Sequence, residues 1–292
     1  MPPCRLLSPV LSGLLACLPL SAQPPTQPPD SRKGLGQGAG DLMILPTRII
    51  LEGRVRASEV MLKNQGKTTA TFRIFIKEME MTPDGRLQDR AKAPGETTAA
   101  DLVRFTPRQA ELAPGEAQTV RIQLRKPGAL PDGEYRSHLV FQGIPPAEPP
   151  QPEGADGEKK LTITIRPVYG ISIPIIVRHG ETRASLSLGN PRFRPPQAEG
   201  APPAVLVDLE RQGNRSVMGD FEVAVEAGGS LKKGTLVAVA KGIAVYHTLP
   251  AREVALPLQL EKGASIQGAR LKVSFIPQDI KLPPVVAHLV AP

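Results

Sequence analysis

A chain of 292 residues with a formal net charge of +8 is long enough for two domains with ordinary cores. Aromatic residues are 3% of it and Trp is absent, so apolar burial falls to Val, Ile and Leu, a composition of stacked sheets rather than of a ligand-caging pocket. Lys and Arg are scattered, with doublets such as Lys159-Lys160 and Lys232-Lys233 and no interleaved aromatics, which excludes the pattern of a nucleic-acid site and leaves a solvated basic surface.

At the N-terminus, Arg5 precedes an apolar stretch, Leu6 to Leu20, interrupted by Pro9 and Gly13 and followed by the small residues Ser21-Ala22. Residues 1–22 read as a secretory signal peptide cleaved after Ala22, being too short and too broken for a membrane span. Leu14-Leu15-Ala16-Cys17 is similar to a bacterial lipobox, which leaves lipidation at Cys17 as the alternative. With no second hydrophobic span after it, the exported chain is expected to be otherwise soluble, and with both cysteines, Cys4 and Cys17, inside this signal it is expected to carry no disulfide. Residues 23–40 are rich in Pro and Gly and read as disordered.

Strand-like runs follow at Met43–Leu51, Ser58–Lys63, Ala70–Met79, Thr119–Leu124, Tyr135–Gln142 and Leu161–Val177. A Pro/Glu/Gly loop separates the last two. A second set occupies Ala184–Leu188, Ala204–Glu210, Phe221–Glu226, Thr235–Ala240, Val254–Leu260 and Arg270–Ile276. Short strands at this spacing, with turn signals between them, predict an all-β chain. It comprises two tandem immunoglobulin-like β-sandwiches, residues 41–180 and 181–292.

Chemistry-bearing motifs are scarce. The four histidines, His138, His179, His247 and His288, show no metal-ligand spacing, and His138 reads as an ordinary strand residue. There is no G-x-S-x-G elbow and no cysteine outside the signal to act as a nucleophile. Gly66-Lys67-Thr68 lacks the earlier glycine of a phosphate loop and reads as a turn. The chain is therefore expected not to be an enzyme and to need no cofactor or metal.

The run KKLTITIRPVYGISIPIIV carries the most information. Leu161, Ile163, Ile165, Tyr169, Ile171, Ile173 and Ile175 share one parity; Thr162, Thr164, Arg166 and Ser172 share the other. It is too long for one ordinary strand, and Pro167 and Pro174 cannot donate to a ladder, which marks an edge or a break. Such an edge could accept a partner by β-augmentation. On pattern alone, an apolar side packed on its own core is the favoured reading.

Four segments, in order, change that balance. PTRIILEG (46–53), FTPRQAELAPGEAQTVRIQL (105–124), LPDGEYRSHLVFQGIPP (130–146) and the long run over 161–178 together resemble the N-terminal domain of the PapD-like periplasmic chaperones that assemble bacterial pili. The resemblance implies that Arg48 anchors the C-terminal carboxylate of an exported pilin-like subunit, and that Leu161, Ile163 and Ile165 fill the groove of that incomplete subunit. It further implies hand-over to an outer-membrane usher in the Gram-negative periplasm, with no ATP and no nucleic acid. Two departures stand out. The family's second anchor, a lysine, is replaced by Ser172 or Pro174, with Arg166 and Arg178 as candidates to compensate. Its Glu-Ser-Leu-Phe segment is replaced by Arg136-Ser137-His138-Leu139. The alternative reading is an envelope structural or binding β-sandwich without a role in subunit assembly.

Overall fold

The structure is a computed structural model that describes residues 41–145, 168–261 and 263–292. The signal peptide, the Pro/Gly-rich segment, and Leu161, Ile163, Ile165 and Arg166 of the long run lie outside the described residues.

The strands of the first half are β1 (Leu42–Leu45), β2 (Ile49–Leu51), β3 (Ala57–Asn64), β4 (Ala70–Lys77), β5 (Met79–Met81), β6 (Leu87–Asp89), β7 (Val103–Thr106), β8 (Gln109–Leu112), β9 (Ala117–Leu124), β10 (Gly133–Ile144) and β11 (Gly170–His179). A single helical turn, α1 (Ala99–Leu102), precedes β7. The second half contains β12 (Ala184–Arg194), β13 (Ala204–Gly213), β14 (Val217–Ala227), β15 (Leu236–Val245), β16 (Ala251–Pro257), β17 (Arg270–Pro277) and β18 (Val285–Val290).

Each half is a sandwich of two sheets. In the first, β1-β3-β9-β7 faces β2-β11-β10-β4-β8; in the second, β12-β13-β16 faces β15-β14-β17-β18. The expected all-β, two-sandwich architecture is present. Alternation explains the burial. Val60 and Leu62 of β3 and Val120 and Ile122 of β9 point inward, against Phe72 and Ile74 of β4, Leu139 and Phe141 of β10 and Ile175 and Val177 of β11. The second core sets Val205, Val207 and Leu209 against Val223, Leu271 and the tilted pair Phe221–Phe275, whose ring centroids are 4.9 Å apart.

Several boundaries differ from the sequence reading. The run Met43–Leu51 is two strands in different sheets, β1 and β2, parted at Pro46, which has no N–H to carry a ladder through. β12 extends past Leu188 because a bulge between Gly189 and Arg192, with Asn190 in the left-handed region, bends the strand and then lets it resume pairing. β6, β7, β8 and β18 are short or half-exposed strands without a long apolar run to announce them.

The two sandwiches belong to one compact unit. Besides their main contact, the β5–β6 hairpin reaches the second sandwich, where the Glu253 N–H donates to the Pro83 carbonyl at 2.8 Å. At the hairpin tip Gly85 has φ +83°, a conformation that favours glycine, and a Cβ there would stand 2.1 Å from Nε of Arg252 and make that side chain move.

Candidate functional site

The site begins with the parity of β10. Leu139 and Phe141 enter the first core, and Tyr135 packs against it; Glu134, Arg136 and His138 point the other way, yet all three are buried. A strand face that reads as solvent-exposed is instead covered by the second sandwich. Antiparallel register places Arg178 opposite Glu134, Ile176 opposite Arg136 and Pro174 opposite His138. β2 runs parallel to the far side of β11 with Ile49 level with Ile175, so the next residue back, Arg48, is level with Pro174 on the same cleft-facing parity.

The second sandwich supplies Arg215, Ser216, Tyr246, His247 and Asp279. Arg178 is the hub: its Nε donates to Glu134 Oε2 at 3.0 Å, its Nη1 to Glu52 Oε2 at 3.0 Å, and its Nη2 to Asp279 Oδ2 at 2.9 Å. Nη2 also reaches the Ser216 carbonyl at 3.3 Å. The Ser216 N–H donates to Glu134 Oε2 at 3.1 Å, and the Met218 N–H to Asp279 Oδ1 at 2.9 Å. Arg215 donates to Glu52 Oε1 at 2.9 Å and to the Asp279 carbonyl. With its side chain 2% exposed, Arg178 has its donors committed to joining the two sandwiches.

Arg48 and Arg136 are less fully engaged. Arg48 donates from Nη2 to Asp279 Oδ2 at 2.9 Å, while its Nε and Nη1 are buried without a partner among the described residues. Arg136 donates from Nη2 to Glu134 Oε1 at 3.2 Å and lies over the Tyr246 ring, 3.5 Å from its centroid; its Nε has no partner. His138 Nε2 is 3.1 Å from the Tyr246 hydroxyl.

The charges tune one another. Burial pushes the Glu134 carboxyl up, but His247, the Arg136 and Arg178 charges and the Ser216 N–H outweigh it and hold it well below the usual carboxylate range. His247 Nδ1 stands 3.5 Å from Glu134 Oε1, too far for a good hydrogen bond. Arg48 is lowered, first by burial, partly restored by Asp279, and lowered again by Arg136 and Arg178. His138 is pushed down to about 4 by burial and then by Arg136. Among the described residues, no three His, Cys, Asp or Glu side chains gather as a metal site would require, and no helix is long and apolar enough to cross a membrane.

The second component of the site is an edge. β10 pairs with β11 along Gly170–His179, but β2 covers only Ile175–Val177 on the other side. Among the described residues nothing pairs with the outer side of Gly170–Pro174, where Ile171 is 36% exposed against 2% for Ile173 and 0% for Ile175.

Of the residues singled out from sequence, Arg48 and Arg178 meet at Asp279. Pro174 is level with Arg48 and provides no charge there. Arg136-Ser137-His138-Leu139 lies within β10, and Glu134, two residues before Arg136, is on the same face as Arg136 and His138. Glu52, Asp279, Ser216, Tyr246 and His247 were not foreseen; the only signal was the polar alternation of Glu134, Arg136 and His138 in an otherwise apolar strand.

The family model for the N-terminal domain of the PapD pili and flagellar-assembly chaperones matches residues 41–178. That span takes in essentially the whole first sandwich, which is similar to the N-terminal domain of that chaperone family. Comparison with curated proteins finds no match. Among solved structures, the YadV chaperone is 12% identical, with 86% of this chain and 100% of that one covered and a TM-score of 0.44. The Pseudomonas aeruginosa CupB2 chaperone is 15% identical, with coverage of 85% and 99% and a TM-score of 0.43. A CsuC-CsuE chaperone–tip adhesion subunit complex from Acinetobacter baumannii is 14% identical, with coverage of 85% and 97% and a TM-score of 0.41.

Proposed function

We propose that this chain is a periplasmic chaperone for exported pilin-like subunits. It lends the edge of β11 and the preceding residues Leu161, Ile163 and Ile165 to a subunit that lacks a strand. Arg48 holds the subunit's C-terminal carboxylate at the cleft, and the subunit then passes to an outer-membrane usher. The observation that carries this reading is the half-covered strand. Among the described residues, β11 is locked into its own sheet at Ile175–Val177 and open at Gly170–Pro174, the arrangement β-augmentation requires. Arg48 lies level with the inner end of that open stretch, so a strand paired along the edge would end at its guanidinium.

No metal or nucleotide is part of the reading, since completion of the subunit's own fold can drive release. The direct test is periplasmic expression of the chain with the small exported proteins of its host, followed by native mass spectrometry. The expected result is a one-to-one complex with a subunit that cannot fold alone. Recovery of the free chain, with those subunits folded and stable without it, would favour the envelope β-sandwich without an assembly role.

A further inference from the structure

The β5–β6 hairpin joins the two sandwiches at a place the Arg178 hub does not reach. Its root is tied to β10. The Glu78 carboxylate, just before β5, accepts from the Ser137 hydroxyl at 2.8 Å and from the Thr98 hydroxyl at 2.9 Å. Ser137 is fully buried between Arg136 and His138, so the root grips the strand whose other face carries those two cleft residues. The stem buries Met81, and the turn is closed by the Thr82 N–H on the Arg86 carbonyl at 2.9 Å and the Gly85 N–H on the Thr82 carbonyl at 2.7 Å. The tip ends on β16, the last strand of its sheet, where the Glu253 N–H turns away from β13 to the Pro83 carbonyl. Arg252 lies against Gly85 and donates to the Ala244 carbonyl, two residues before Tyr246, the ring under Arg136. Burial lowers Arg252, and the nearby Tyr246 and Asp84 act against that shift.

We propose that the β5–β6 hairpin is an interdomain strap: seated on Arg252 at the edge of β16, it holds the β4 side of the cleft while the Arg178 hub holds the β2 side. Sheet order sets the two ties apart. The hub draws on β2, β11 and the start of β10, whereas the hairpin leaves from the end of β4, three strand spacings or about 14 Å from β2. One tie leaves two bodies free to rock about it; a second tie across the sheet removes that freedom. Arg252 is the positioning residue of the strap. It receives the hairpin tip on one side and, through Ala244, steadies the end of β15 from which Tyr246 reaches Arg136 and His138. The strap is independent of what the cleft binds, because it sets the angle at which any partner meets the first sandwich.

The test shortens the hairpin in the full chain. Replacing residues 82–86 with a two-residue Asn-Gly turn between the paired Met81 and Leu87 removes the tip and keeps the stem. Two NMR readouts follow it: amide exchange at Glu253, and residual dipolar couplings in each sandwich. In the unaltered chain the Glu253 amide should be protected, and the couplings of both sandwiches should fit one alignment tensor. In the shortened chain the Glu253 amide should exchange roughly ten-fold faster, as loss of one hydrogen bond allows. The couplings of the second sandwich should shrink relative to those of the first, because independent rocking averages them. Arg252→Ala should reproduce both changes with the hairpin at full length. A Glu253 amide in the unaltered chain that exchanges as fast as an exposed loop amide overturns the seating of the tip. A shortened chain whose two sandwiches still fit one tensor overturns the strap, leaving the tip as a cap on β16. A shortened chain that loosens while Arg252→Ala leaves both readouts unchanged overturns the role of Arg252. Should Arg252→Ala fail to fold, Gly85→Ala, which displaces the same guanidinium from the hairpin side, takes its place with the same outcomes.

Discussion

The two ends of β11 share a partner strand and an alternating pattern, and their surroundings are opposite. From Ile175 to Val177 the strand lies between β10 and β2, with its inner face in the first core and its outer face, continued by Arg178, against the second sandwich. From Gly170 to Pro174 it pairs, among the described residues, with β10 on one side only. The difference teaches that rigidity and availability can be divided along one strand. The charged hub at Arg178 ties the two sandwiches together at the locked end; under the proposed function, the open end would then have little left to order on binding.

The strongest way to break the comparison is at the locked end. Arg178→Ala leaves Glu134, Glu52 and Asp279 without their shared cation, and removing one member of a buried ionic network costs about 3–5 kcal/mol. Urea unfolding should show the loss, with the transitions of the two sandwiches separating. An unchanged midpoint would mean that the ion pairs do not hold the sandwiches together.

The same end should respond to pH. His138 titrates near 4 when folded, below its ordinary value of about 6.5, so the unfolded chain takes up the proton first. Its contribution is complete above about pH 6.5 and is lost as pH falls toward 4, on the order of 3 kcal/mol in all. Glu134, also held low, adds a loss below the usual carboxylate range. Melting temperature followed across this window should fall for the unaltered chain and fall less for His138→Gln. Parallel curves would show that the imidazole gains its proton without opening the cleft.

Arg48 stands at the junction of the two ends. An exposed anchor could be removed with little effect on stability, but Arg48 donates to Asp279 and is 13% exposed. Arg48→Ala is therefore expected to cost about 1.5–3 kcal/mol as well as subunit capture. Thermal melts and co-purification measure the two effects separately. Lost capture with an unchanged melt would mean that the Asp279 contact contributes nothing.

Alternation alone was enough to read β3, β9, β13, β14 and β17, because their inward residues are apolar and their outward residues polar. The same rule misled at the cleft. Glu134, Arg136 and His138 have the polar parity of a solvent face, and nothing local distinguishes water from a second domain as the neighbour. Asp279 and Tyr246 are isolated in sequence and become partners of Arg48 and Arg136 only when the sandwiches pack. Arg48 itself was legible only through the order of four resembling segments. The hairpin contact at Gly85 had no signal beyond a turn.

The smallest expected change in stability is at the open end, and it is the most informative about function. Ile171 and Ile175 share parity and residue type; the first is 36% exposed and the second fully buried. Ile175→Asn empties a core position and buries an amide without partners, costing several kcal/mol. Ile171→Asn removes a side chain from a half-open position, and surface changes of this kind usually stay within about 0.5 kcal/mol. If the edge receives a subunit, Ile171→Asn should melt as the unaltered chain does and yet hold its partner more weakly, because the exposed isoleucine is covered only in the complex. Circular dichroism melts and dissociation rates of the purified complex would read the two quantities independently. A variant with an unaltered melt and an unaltered dissociation rate would remove Ile171 from the contact and move the donor surface toward Ile165. A steep loss of stability would instead make the open end part of the core, and the contrast between the two ends of β11 would fail.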